Sequence, residues 1–190
     1  MSVLRKPTEA EASARFSANA ETSVTMSEFD TRAFRSALGS YTTGVTVITT
    51  RNSSGVAVGL TINSFAAVSL DPPLVLWSLS LNSSSLPAFK ECKHYAINVL
   101  AQDQQALSQR FAATQTDKFA GLDFVLGATG APLLSGCCAW FECRNEVRHD
   151  GGDHLIFVGR VEGFARSDQP PLVFQGGQYR QLGSSLNDRR

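Results

Sequence analysis

Gly44-Val45-Thr46-Val47-Ile48-Thr49-Thr50-Arg51-Asn52-Ser53-Ser54-Gly55-Val56-Ala57-Val58-Gly59-Leu60 is the stretch whose reading decides the fold. Its first half is β-branched almost throughout, and its second returns to Val and Leu after Asn52-Ser53-Ser54-Gly55, which is turn chemistry. The pattern predicts a β-hairpin. Beyond it, Gly59 to Pro73 runs through a short polar group, Thr61, Asn63 and Ser64, and then an apolar run that ends at Asp71-Pro72-Pro73. Pro-Pro forces an extended entry into a third strand over Leu74 to Leu81.

Further strands are predicted over Tyr95 to Leu100, Cys137 to His149 and Asp153 to Ala165, with a broken segment from Leu172 to Leu182. In the Cys137 segment, Trp140, Glu142, Arg144 and Glu146 alternate against Phe141, Cys143 and Val147, the period of a half-buried strand. Short helices are expected over Thr31 to Gly39, capped by Asp30, over Leu86 to Glu91 behind Asn82-Ser83-Ser84-Ser85, and over Gln102 to Ala112. Many short strands with a few helices and no regular βαβ alternation predict a mainly β, α+β domain dominated by a barrel. Residues 1–28 read as a disordered N-terminal extension, 29–183 as the folded domain and 184–190 as a flexible tail.

The chain has 190 residues, enough for one domain with a substantial core. Seventeen basic residues balance seventeen acidic ones, so nothing in the charge points to nucleic acid. No apolar run reaches the ~18 residues of a membrane span, and no secretory signal precedes the domain. Cys92, Cys137, Cys138 and Cys143 lack a C-x-x-C spacing, which argues for free thiols in a reducing, cytoplasmic setting and for no metal site. Cys137 and Cys143 are expected on one strand face, with Cys138 on the other.

No G-x-S-x-G elbow surrounds a serine, no G-x-G-x-x-G follows a strand, and no P-loop is present. His94, His149 and His154 offer no set of metal ligands. What remains is a polar loop at Thr61 to Ser64, a buried asparagine at Asn98, and Gly151-Gly152-Asp153-His154 at a strand start, where the histidine can face a ligand held by that loop. Ordinary turn chemistry accounts for a polar loop equally well when it is taken alone.

The order Thr42-Thr43-Gly44-Val45-Thr46-Val47-Ile48-Thr49-Thr50, Thr61-Ile62-Asn63-Ser64-Phe65, Val68-Ser69-Leu70-Asp71-Pro72-Pro73, Ala96-Ile97-Asn98-Val99-Leu100, Gly152-Asp153-His154 and Gly159-Arg160-Val161 closely resembles the short-chain flavin reductase family. The resemblance covers nearly all of Phe34 to Leu182. It implies a split β-barrel and usually a homodimer. The implied activity is hydride transfer from NADH or NADPH to FMN or FAD, with the reduced flavin supplied to a partner flavin-dependent monooxygenase. Carried over by position, it places Thr43, Gly44, Val45, Thr61, Ile62, Asn63 and Ser64 near the isoalloxazine. Ser78 and Ser80 fall along the flavin path, with Ser83 and Ser85 near its phosphate. Asn98 matches the family's strand asparagine, and Arg110 and Lys118 are phosphate or adenylate contacts. Asp153 and His154 stand at the nicotinamide side, His154 as the catalytic-site histidine, and Tyr179 helps to close the site. The family often carries a basic residue in the serine-rich loop, whereas Asn82 to Ser85 is uncharged. A non-catalytic flavin- or haem-binding split barrel, acting as carrier or sensor, is the competing reading of the same residues.

Overall fold

The computed structural model describes residues 30–114 and 117–183. The predicted extension over residues 1–28 and the tail over 184–190 lie outside the described residues. The described residues fall into two compact units that divide between residues 40 and 41. In the first, helix α1 (Thr31–Leu38) begins at Asp30, whose carboxylate accepts the Arg32 N–H at 2.7 Å. Gly39 ends the helix without leaving the right-handed region, at φ −62°.

The second unit carries the β structure. Its main sheet has seven antiparallel strands in the order β3 (Ala57–Ile62), β2 (Thr46–Arg51), β6 (His94–Val99), β9 (Ala139–Gly151), β10 (His154–Arg166), β5 (Pro73–Ser80) and β4 (Ala66–Leu70). The predicted hairpin is β2–β3, in register from Thr46 opposite Ile62 to Arg51 opposite Ala57. Asn52 Oδ1 accepts the backbone N–H groups of Ser54 and Val56, which is the turn the sequence called for. A small sheet joins β1 (Thr43–Gly44) to the hairpin β11 (Val173–Gln175) and β12 (Gln178–Arg180), and β7 (Phe124–Leu126) pairs with β8 (Pro132–Leu134). Helices α2 (Leu86–Glu91) and α3 (Gln105–Ala112) complete it.

Strand β2 is buried on both faces, every residue from Thr46 to Thr50 being buried. Ile48 enters one apolar cluster, in which Trp77 stacks on Phe157 with ring centroids 4.4 Å apart. Phe89 and Tyr95 stand roughly perpendicular to Trp77, with ring centroids at 5.2 and 5.6 Å. Val45 and Val47 belong to a second cluster with Leu100, Phe111, Leu134 and Leu172. Each such side chain, fully removed from water, contributes about 1.5–3 kcal/mol.

The main sheet curls until its two ends meet. Ser64, just past β3, accepts the Ser78 backbone N–H at 3.0 Å and lies 3.3 Å from the Ser78 carbonyl, bridging the ends where no ladder runs. This is the split of the barrel.

Several elements differ from the sequence expectation. The apolar run after Phe65 is a strand, β4, that folds back on β5 across a cis Asp71–Pro72 bond, with Leu70 opposite Pro73. Val147 does not share a face with Cys143. Val158 pairs with Val147 and Gly159 with Asn145, so Glu146 is an extra residue and reverses the alternation beyond it. Cys137 precedes β9 and packs in the second cluster, while Cys143 packs in the first. Burial pushes both thiols up to about 12, so both are neutral at pH 7.

Gly159 is required by packing. A Cβ there would fall on the phenol of Tyr95, whose ring is fully buried, and within 3.2 Å of the Cys143 Cβ. Gly159→Ala is expected to lose about 1–3 kcal/mol of stability through overpacking. Urea denaturation measures it, and an unchanged midpoint would contradict the requirement.

Candidate active site

Strand β3 and the loop after it form one wall of three adjoining cavities, and Thr61 lines all three. The first, of about 600 Å3, runs from Thr61 along β3 to Asn82–Ser85, Phe111 and Lys118. The second, of about 570 Å3, brings together Thr61, Ile62, Asn63, Ser64, Ser78, Ser80, Ser83 and His154. The third, about 180 Å3, lies between Val45, Thr61, Asn63, Ser108, Phe174 and Tyr179. Residues far apart in sequence thus share one continuous polar wall.

The hydroxyls along that wall have defined polarity. Ser80 Oγ accepts the Asn82 N–H at 3.3 Å and Ser83 Oγ accepts the Ser85 N–H at 3.3 Å, which leaves each hydroxyl proton to be donated elsewhere. Thr61 is the opposite case, because its Oγ1 donates to the Ser108 carbonyl at 2.7 Å. Ser64 is engaged by the Ser78 backbone, so much of its role is to hold the barrel ends together. Asn63 is exposed and brings both amide donors and an acceptor. Apolar contact comes from Leu60, Ile62, Leu79 and Ile156.

His154 opens β10 beside the Gly151–Gly152 turn, where Gly152 has φ +72°. Its Nδ1 lies 2.7 Å from Asp153 Oδ1. The hydrogen bond from His154 holds the Asp153 carboxyl below the usual aspartate value. An ionised carboxylate only accepts, so the imidazole proton sits on Nδ1 and Nε2 is the nitrogen left to meet a ligand. At the far end, Lys118 Nζ donates to the Phe111 carbonyl at 2.7 Å, and partial burial pulls its ammonium below the ordinary lysine value.

Not every residue carried over from the resemblance reaches these cavities. Asn98 is fully buried, and its amide is consumed internally. Its Nδ2 donates to the Val47 carbonyl and to Thr49 Oγ1, each at 3.0 Å, and its Oδ1 accepts the Leu134 N–H at 2.8 Å. It packs in the core and lines none of the three cavities. Arg110 donates to the Ala120 carbonyl and lines none of the three cavities. Thr43 and Gly44 pair with Phe174 and Val173 in the small sheet, one strand removed from the cavity wall. The buried Thr43 hydroxyl has no hydrogen-bond partner among the described residues. Asp153 acts on the site through His154.

Ser108 lines the third cavity although the resemblance does not name it. It is fully buried on α3, and its hydroxyl meets Tyr179 OH at 2.8 Å. Its position three residues before Phe111, on the apolar face of the helix, is the signal that marks it as an inward polar group.

Residues 38–183 match the family described as the flavin reductase like domain. The chain belongs to that family. It is 50% identical over 150 residues to the FMN reductase (NADH) SmoA of Agrobacterium fabrum, covering 79% of this chain and 85% of that protein. It is 44% identical to HsaB of Rhodococcus jostii, the reductase subunit of a flavin-dependent monooxygenase, over 79% of this chain and 77% of that one. Other curated relatives are longer, and the chain spans about half their length. Among solved structures, the NADH:FAD oxidoreductase of Streptomyces globisporus, in complex with NAD and FAD fragments, superposes with a TM-score of 0.79 at 35% identity. That match covers 83% of this chain and 95% of the other.

The residues present fit a flavin. An isoalloxazine needs apolar contact on its faces together with donors and an acceptor along its edge, and Leu60, Ile62, Ile156, Ser80, Ser83, Asn63 and Thr61 offer that combination around one cavity. Lys118 and the Ser83–Ser85 loop share the first cavity, where a phosphate would find donors. The tautomer assignment has a direct check. Nitrogen-15 NMR of His154 is expected to show the Nδ1–H form in the neutral wild type and a shift toward Nε2–H in Asp153→Ala; an unchanged tautomer would refute the role given to Asp153.

Proposed function

We propose that this chain is an NAD(P)H:flavin oxidoreductase, with NADH as hydride donor and FMN or FAD as acceptor, and that it supplies reduced flavin to a flavin-dependent monooxygenase. The observation that carries the reading is the single cavity lined by Thr61–Ser64, Ser78, Ser80, Ser83 and His154. Family membership and relatives named as FMN reductase (NADH) and as monooxygenase reductase subunit support it.

A bound flavin supplies the redox chemistry, accepting a hydride from the dihydronicotinamide. The protein's part is positioning and electrostatics. Ser80 and Ser83 donate toward carbonyl or phosphate oxygens, and Asn63 donates to the edge on which negative charge grows. His154 Nε2, held in place through Nδ1 by Asp153, orients the nicotinamide amide; hydride transfer asks for no proton at carbon. Lys118 and Ser83 to Ser85 neutralise and bind the phosphate, in place of the basic loop residue this chain lacks. Tyr179 and Phe174 cover the small third cavity.

The homodimer and the cytoplasmic location belong to the same reading. A row of apolar side chains, Ala66, Leu76, Val158 and Val147, crosses β4, β5, β10 and β9 on the outer face of the sheet. Val147 in this row is 42% exposed. A face of this kind is suited to a second copy of the chain. Four free thiols accord with a reducing compartment, and no described helix is long and apolar enough to cross a membrane.

Purified protein is expected to oxidise NADH only when FMN or FAD is added. Absence of flavin-stimulated oxidation with either nicotinamide would sink the reading, and tight flavin binding without it would favour a carrier. His154→Ala is expected to raise KM for NADH about tenfold, the worth of one well-placed hydrogen bond, with flavin affinity nearly unchanged. For the assembly, Val158→Asp is expected to convert a dimer to a monomer in analytical ultracentrifugation, and a dimer that survives the change places the interface elsewhere.

A further inference from the structure

Thr61 is the one residue shared by all three cavities, and its hydroxyl proton is already committed. Oγ1 donates to the Ser108 carbonyl at 2.7 Å, and a carbonyl oxygen can only accept, so the direction of that bond is not in question. The acceptor is well anchored. Ser108 is fully buried on α3, and its own hydroxyl is tied to Tyr179 OH at 2.8 Å, which pins the helix to the β11–β12 hairpin. A hydroxyl held in this way has only lone pairs to offer the cleft.

We propose that Thr61 is a specificity-determining residue that selects an N–H edge of the ligand, because Ser108 fixes its hydroxyl as an acceptor toward the cavity. The proposal rests on the flavin reading of the cleft. An oxidised isoalloxazine has one ring N–H, at N3, between two carbonyls. Thr61 would accept that proton, while a carbonyl presented to it would face lone pairs without a donor. Rotating the hydroxyl to serve a carbonyl would sacrifice its bond to Ser108. The ring edge is therefore read in one orientation, and an analogue blocked at N3 leaves Thr61 without a partner in the cleft.

Binding of FMN and of 3-methyl-FMN to the full chain, followed by quenching of flavin fluorescence without NADH, tests this. Wild type is expected to favour FMN by roughly tenfold or more, the ratio that one lost hydrogen bond with an unmet acceptor corresponds to. In Thr61→Val the two ligands are expected to fall within about twofold of each other, through weaker FMN binding, and Thr61→Ser should restore the preference. Thr61→Ala serves the same purpose if the valine variant does not fold. Retention of the wild-type ratio in the variant that lacks the hydroxyl overturns the assignment, as does a wild type that binds both ligands equally. A wild type that binds neither flavin removes the flavin reading as well, so the two failures are distinguishable.

Discussion

A strand buried on both faces has no water to satisfy it, and that constraint governs this fold. β2 places Thr46, Thr49 and Thr50 among fully buried groups, and Asn98 on the neighbouring β6 is equally dry. Leaving any one of these polar groups unmet would cost about 1–3 kcal/mol. The structure meets the demand internally. Thr50 donates to the His94 carbonyl, Thr49 donates to the Pro132 carbonyl and accepts from Asn98, and Asn98 accepts from the Leu134 backbone. These bonds tie β2, β6 and β8 into one unit, with an apolar cluster packed on each side.

The cleft follows from what that unit leaves unpaired. β3 lies at one edge of the main sheet and β4 at the other, and the sheet curls without closing its ladder. Ser64 bridges the gap to Ser78, so the polar groups on either side line a common cavity. The close approach of α3 to β3 shapes the floor. A Cβ on Gly59 would lie 2.7 Å from the Phe111 ring, and only glycine lets the helix sit where Ser108 reaches Thr61. The site is thus a consequence of the opening in the barrel, and the hydroxyl polarities within it are set by backbone groups behind them.

Much of the fold was legible from local pattern. The β2–β3 hairpin, the Asp30 cap, the strand at β6 and the long β9–β10 pair each rest on signals contained within a dozen residues. The failures have local causes too. β4 was hidden because Ala66–Leu70 has no buried residue and so no alternation to detect. The face of Val147 escapes a period-two pattern because one extra residue, Glu146, reverses the alternation and leaves no mark in the composition.

By itself the sequence determined which segments become strands, where the turns fall, and that the chain carries a Thr–Ile–Asn–Ser loop and a Gly–Asp–His turn. Short-range backbone sterics and hydrophobic period are enough for that. Only the tertiary structure decided which polar residues face the cleft. It tied up the Asn98 amide on Val47, Thr49 and Leu134, turned Arg110 toward the Ala120 carbonyl, and brought in Ser108 behind Thr61. The reason is physical: a side chain's partners are supplied by strands and helices distant in sequence, and hydrogen-bond direction depends on which of those groups can only accept.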